Sequence, residues 1–554
     1  MFRLNRVVCV SVAMAGLAAH AAPARADKAL DAALQSLTPD AIRAHMQFLA
    51  DDLLEGRGTG TRGYRLAAGY VAAQLQRCGL EPMGDAGTYF QWLDLRETVQ
   101  EESGCAITLV GPDGEQALEY AQHFLMDGHA VEASIELTAP LVYVGYGVSA
   151  PDVGYDDYAG VDVRGKVIVF MRGAPPTFQH NQRAYYASSR LKRENAVARG
   201  AVGTLTFLPA KEAAKRPWSR SVMNSKLPSM RVLDPAGQPL AAFPELRVDA
   251  TLSEAGVAAV FAGAPHGLAD VHAAAEAGRP QSFDLALTGR FRVQSRHVAA
   301  RCANVVAFLP GSDAVLRDEV LVYSAHLDHL GIGEPLDGDR IYNGAFDNTS
   351  GIAVMLEVAR AFAEMPRAPR RSIVFLAVTA EEKGLLGSEY FAAHPTVPLS
   401  SIVANVNLDM FLMLHPLHDI IAFGEEHSTL SRPVANACKR LGIEMTPDPM
   451  PEEVIFIRSD QYSFVRQGVP AVFLVAGFKG HSARPQGMSS EQWLTDVYHT
   501  QKDDLSQYMD LDAGVRFAQA NLLIGHEIAN AKERPRWNPG DFFGERFAKP
   551  RVEP

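Results

Sequence analysis

Between residues 302 and 530, short apolar runs alternate with helix patterns, and this alternation restricts the possible folds more than any other feature. The runs CANVVAFL, EVLVYSA, RSIVFLAVTA, IVANVNL, DIIAFG and PAVFLVA are nearly continuously hydrophobic, as strands buried on both faces are. Between several of them lie helix patterns: SGIAVMLEVARAFAEM, KGLLGSEYFAAH and LSRPVANACKRLG, with DAGVRFAQANLLIGHEIAN at the end. This order predicts an α/β domain with a mostly parallel central sheet flanked by helices.

In such sheets ligands bind beyond the carboxyl ends of the strands, so the residue after each apolar run is informative. EVLVYSA runs into His326-Leu327-Asp328, RSIVFLAVTA into Glu381-Glu382, and IVANVNL into Asp409. Asp347, at the start of a helix pattern, and the Tyr498-His499-Thr500 stretch need only fold over that edge. Each residue alone has an ordinary structural explanation. Repetition at the ends of the most hydrophobic strands points instead to metal, and this mixed N/O set suits two zinc ions. Asp347 is the best bridging candidate. One of the two adjacent glutamates can bind metal while the other accepts a proton. His329 competes with His326; His326 is preferred because Asp328 can orient its ring. His481, Glu425, Glu426 and His427 read as exposed loop residues. There is no HExxH motif and no GxSxG elbow, and Ser350 reads as part of a helix start.

Upstream, residues 39–80 predict two amphipathic helices around the glycine-rich loop Gly56-Arg57-Gly58-Thr59-Gly60. No strand precedes that loop and no GK[ST] follows it, so it reads as a turn and not a phosphate cradle. From about 125 to 290 the texture changes to short β-type runs with a few helices, without a metal-ligand cluster. The tail from 534 is too rich in Pro and charge to predict regular structure.

A length of 554 residues requires more than one core. The net charge of −12 weighs against nucleic-acid partners, and no internal run is long enough to span a bilayer. Arg3 and Arg6, an apolar segment and Ala24-Arg25-Ala26 form a secretory signal pattern with cleavage before Asp27. The expected location is therefore outside the cytoplasm, periplasmic or secreted. Cys78, Cys105, Cys302 and Cys438 form no metal spacing; most read as buried thiols, with Cys105–Cys302 as the candidate disulfide.

The stretches SAHLDH, GAFDNTSGIAVMLEVARAF, FLAVTAEEKGLLGSEYF, NVNLDM, RSDQYSFVRQGVPAVFL and YHTQKDD resemble the co-catalytic zinc peptidases related to bacterial leucyl aminopeptidases, glutamate carboxypeptidase II and the transferrin receptor. VGYGVSAPDVGYDDYAGVDVRGKVIVF resembles a protease-associated (PA) domain inserted in many members. The implied layout is a signal at 1–26, peptidase domain at 27–125 and 290–533, a mainly-β PA-like insertion at 126–289, and a tail at 534–554. The resemblance implies Asp347 bridging two zinc ions, with His326 and Asp409 completing one site and Glu382 and His499 the other. It implies Glu381 as general base in a bridging-water mechanism, Asp328 behind His326, and Tyr498 as a donor to the tetrahedral intermediate. The implied activity is aminopeptidase cleavage of peptides. The alternatives are a carboxypeptidase, for which Arg458 is the one Arg in a matching stretch placed to clamp a carboxylate, a glutaminyl-cyclase-like transferase, and a non-catalytic PA-domain binding protein.

Overall fold

The computed structural model describes residues 21–479 and 488–548. Most of the expected export signal, and His481, lie outside the described residues. The main sheet is built from β1 (Phe90–Gln100), β2 (Phe283–Leu309), β3 (Val320–His326), β4 (Ser372–Val378), β5 (Ile402–Leu408), β6 (Asp419–Phe423) and β7 (Ala471–Ala476). Its spatial order is β1-β2-β4-β3-β5-β7-β6. The centre, β4-β3-β5-β7, is parallel, while β2 and β6 run antiparallel on either side. Every residue of β3, β4 and β5 is buried, which is why these strands carry no polar alternation.

Helices cover the sheet. Helix α1 (Pro39–Leu49) begins with Thr38 accepting from the Ala41 amide and with Pro39 in its first turn, both favoured at helix starts. Helix α2 (Arg62–Arg77) is capped by Thr61. Helix α3 (Ser350–Ala363) is buried on nearly all faces, between the sheet and helices α1 and α4 (Leu511–Asn530). Its first turn touches the end of β5: a Cβ on Gly351 would stand 2.5 Å from the Leu408 carbonyl oxygen. Only glycine permits that approach, and the approach sets the distance between Asp347 and Asp409.

The second sheet departs from the expected boundaries. Strand Ala106–Gly111, placed by sequence in the peptidase part, and Phe124–Met126, which straddles the expected boundary at 125/126, belong to it, together with Ser134–Tyr143, Val167–Met171, Gly203–Phe207 and Val248–Leu252. Conversely, Ser229–Val232, inside the expected insertion, pairs with β1 of the main sheet. The two sheets share β2, whose first half pairs with the second sheet and whose last half pairs with β1 and β4. A boundary at 289 would cut through this strand.

The tail also differs from expectation. Asp541 caps a short helix, Phe542–Phe547, and Phe543 is fully buried against Phe456 and His427. The apolar area of its aromatics outweighs the local Pro and charge. His427, expected on the surface, is buried there and bonds Asp541 at 2.7 Å. All four described cysteines are free thiols. Cys302 meets the Thr379 hydroxyl at 2.8 Å, whereas Cys105 contacts the Gln294 carbonyl, so they do not pair.

Candidate metal centre

Because β3, β4 and β5 are parallel neighbours, their carboxyl ends deliver His326, Glu381-Glu382 and Asp409 to one edge. His326 is the last residue of β3, and its Nδ1 donates to the Asp328 backbone carbonyl at 3.1 Å. That bond leaves Nε2 to face the carboxylates, and to bind a metal once it gives up its proton. It lies 3.0 Å from Asp409 Oδ1 and 3.2 Å from Asp347 Oδ1. The other oxygen of Asp347 faces a second group: Oδ2 is 3.2 Å from His499 Nε2, which is itself 3.1 Å from Glu382 Oε2. One carboxylate thus serves two clusters, one oxygen each.

Asp347 does not come from a strand end, so other groups hold it. Its own amide and that of Phe346 donate to the Asp503 carboxylate at 3.0 and 2.9 Å. Asn348, joined to Asp347 by a cis peptide bond, donates to the Leu408 carbonyl at 2.9 Å. Ser459 donates to Asp409 Oδ2 at 2.6 Å. Asp328 performs a different task from the expected one. Its carboxylate accepts from the amides of Glu381 and Glu382 at 3.1 and 3.4 Å and from the Thr59 hydroxyl at 3.0 Å. It therefore anchors the glutamate turn, and only its backbone carbonyl orients His326. His329, set aside on sequence grounds, lies in the site with Nδ1 2.7 Å from Glu382 Oε1 and 3.8 Å from Asp347 Oδ2. It competes with His326 as a ligand on sequence grounds, but a sequence does not specify which turn residue points inward.

Electrostatics follow from this crowding. Burial disfavours a charged His326, but Asp409, Glu381 and Asp347 outweigh it and hold the imidazole well above its ordinary range. Burial likewise opposes a charged His499, yet Glu382 and Asp347 raise it to about 10. Glu382 is brought to about 2 by His499 and His329 against burial. Asp347 falls well below the usual carboxylate range, its three histidine neighbours overcoming burial. Glu381 moves the other way: burial, reinforced by Glu382, Asp409 and Asp460, pushes it well up despite His326. A buried set with this much negative charge needs cations. Zinc–ligand bonds of about 2.0–2.1 Å at tetrahedral angles put ligand atoms roughly 3.3 Å apart, close to the spacings here. The donor set fits zinc.

A mostly parallel α/β sheet that gathers His326, Asp347, Glu382, Asp409 and His499 at its carboxyl edge has the form of a metallopeptidase domain. Residues 304–524 match the profile of Peptidase family M28. Over the fold as a whole it is similar to the aminopeptidase from Aneurinibacillus sp. strain AM-1, with a TM-score of 0.54 and 18% identity over 90% of this chain and 96% of that one. Among curated sequences, a probable zinc metalloprotease from Pyrenophora tritici-repentis is 28% identical over 42% of this chain and 58% of its own length. Leupeptin-inactivating enzyme 1 from Streptomyces exfoliatus is 28% identical over 37% of this chain and 44% of its own length. The chain spans about half the length of these curated relatives.

Proposed function

We propose that this protein is an exported di-zinc aminopeptidase that hydrolyses N-terminal residues from peptides. The observation that carries the reading is Asp347, whose two oxygens face His326 and His499 separately at 3.2 Å each. His326, Asp347 and Asp409 would hold one ion, and Asp347, Glu382 and His499 the other, with His329 behind Glu382. When bound, zinc supplies Lewis acidity toward the scissile carbonyl and an acidified water. Glu381 is not tied down: among the described residues its carboxylate has no hydrogen-bond partner, although its amide is fixed by Asp328. A carboxylate with a raised pKa in this position accepts the proton of the attacking water and returns it to the departing amine. Tyr498 stacks on His499, with ring centroids 3.8 Å apart. Burial, with Asp347 and Glu382 nearby, keeps its phenol protonated, ready to donate to an oxyanion.

The acidic surroundings favour a substrate's free ammonium. Arg458, the alternative carboxylate clamp, is bonded to Glu453 at 3.1 Å, and Arg216 shares that glutamate at 2.7 Å. We read the second sheet as the PA-like insertion, with segment Trp218–Asn224 roofing the cleft. That segment packs against Gly331–Leu336, and Arg220 donates to the Thr495 carbonyl. The decisive experiment assays free and N-blocked peptides with and without a zinc chelator. Chelator-sensitive cleavage of free peptides alone is expected; cleavage of blocked peptides alone would reverse the assignment. Removing the roof contacts with Arg216→Ala and Arg220→Ala should admit larger peptides, and unchanged size selectivity would count against a roof.

A further inference from the structure

Strand hydrogen bonds hold His326 and Asp409 in mutual register and deliver the Glu381-Glu382 turn beside them, but Asp347 enters from a loop that no ladder positions. Beneath that loop lies Arg57, 1% exposed. Its guanidinium donates to four backbone carbonyls: Leu327 at 2.9 Å, Leu49 at 2.6 Å, Asn343 at 2.5 Å and Gly344 at 3.0 Å. Leu327 lies between His326 and Asp328, and Asn343-Gly344 leads into Asp347. One planar group therefore ties the turn carrying His326 to the loop carrying Asp347, and both to the end of α1. Arg57 makes no ion pair with a carboxylate among the described residues. It instead sits in the combined field of Asp503, Asp347, Asp328 and Glu382, which opposes the lowering of its pKa by burial.

The backbone around it is shaped for this placement. Glu55, Gly56 and Arg57 have φ of 52°, 64° and 49°, a left-handed turn that two non-glycine residues adopt only when their surroundings impose it. The turn is closed against the site: the His329 amide donates to the Arg57 carbonyl at 3.3 Å, and Gly58 bridges to His329.

We propose that Arg57 is a positioning residue for the metal centre: it sets the separation of His326 and Asp347 and thereby the zinc affinity of both half-sites. Lysine keeps the charge but presents its donors from one point, so it cannot span the three segments. Methionine keeps the bulk but donates to none of the four carbonyls, of which that of Gly344 keeps its bonds from Thr349. The inference rests on the di-zinc reading, and the test separates the two. Zinc affinity is measured by chelator competition for the wild type, Arg57→Lys and Arg57→Met, with melting curves of each protein in its metal-free and zinc-loaded forms. Loss of a group that orients metal ligands typically weakens metal binding about 10- to 100-fold. We expect that loss in both variants, with a smaller zinc-induced rise in melting temperature than in wild type, and with kcat restored at saturating zinc more fully in Arg57→Lys than in Arg57→Met. If Arg57→Met does not fold, Arg57→Lys decides alone, through its affinity and its zinc-induced stabilisation. Wild-type affinity in a folded variant, or equal destabilisation of metal-free and loaded forms, would overturn the role. A wild-type chain that binds no zinc would overturn the di-zinc reading itself.

Discussion

Glu381→Gln separates the chemical role of Glu381 from metal binding. The substitution keeps shape and removes the negative charge and the basic oxygen. General-base catalysis contributes about 10²- to 10⁴-fold, which at about 1.4 kcal/mol per decade is roughly 3–5.5 kcal/mol of barrier. The structure adds a second, opposite effect. Burial and three neighbouring carboxylates raise the Glu381 pKa above its unfolded value in the metal-free chain. An acid with a raised folded pKa lowers stability as pH climbs from its unfolded value of 4.5 toward the folded one, because the native state then binds more protons than the unfolded state. Each unit of that shift costs about 1.4 kcal/mol at pH above both values. Glutamine removes the cost. The expected result is a 10²- to 10⁴-fold fall in kcat, zinc content equal to wild type, and a higher melting temperature for the metal-free variant at neutral pH. Steady-state hydrolysis, metal analysis and calorimetry after chelation measure the three quantities. Turnover like wild type would refute the general-base role, and loss of zinc together with activity would make Glu381 a ligand.

Asp347→Asn leaves one oxygen to serve two clusters and should lower bound zinc from two ions per chain toward one or none, read by metal analysis after dialysis; two tightly held ions would contradict bridging. Phe543 is fully buried in the aromatic cluster that docks the tail, so Phe543→Ala should cost about 3–5 kcal/mol. Denaturant unfolding checks this, and a change below about 0.5 kcal/mol would mean the tail contributes nothing. Lys192, buried in the second sheet's core, has its pKa lowered from 10.5 to about 7 by desolvation. The unfolded state then binds the extra proton between those values, so stability should rise with pH from about 7 to 10.5, by up to about 5 kcal/mol. Unfolding free energies of Lys192→Met and wild type, compared across that window, should converge as pH rises, and a flat difference would discard the argument.

The sequence alone was enough to read which polar residues stand at the strand ends of the candidate site. Each proposed ligand at the ends of β3, β4 and β5 follows or terminates a continuous apolar run, and parallel neighbours carry their carboxyl ends to the same edge, so His326, Glu382 and Asp409 could be read together. Asp347 and His499 terminate no strand and could be read only as residues able to fold over that edge, with their pairing to particular ligands supplied by the motif resemblance. Side-chain direction within turns was not legible. The Asp328 carboxylate turned toward the amides of Glu381 and Glu382, and His329 turned inward onto Glu382, because hydrogen-bond partners far along the chain choose among turn rotamers. The same distance in sequence hid Arg57, whose partners at Leu327, Asn343 and Gly344 lie more than 250 residues away. Local pattern also misplaced the module boundary, since β2 reads as one strand whichever sheet each half joins. Apolar periodicity thus determined which strands exist and what stands at their ends. Only tertiary packing decided which buried polar groups satisfy one another, because each such group must find a partner and the available partners are set by the whole fold.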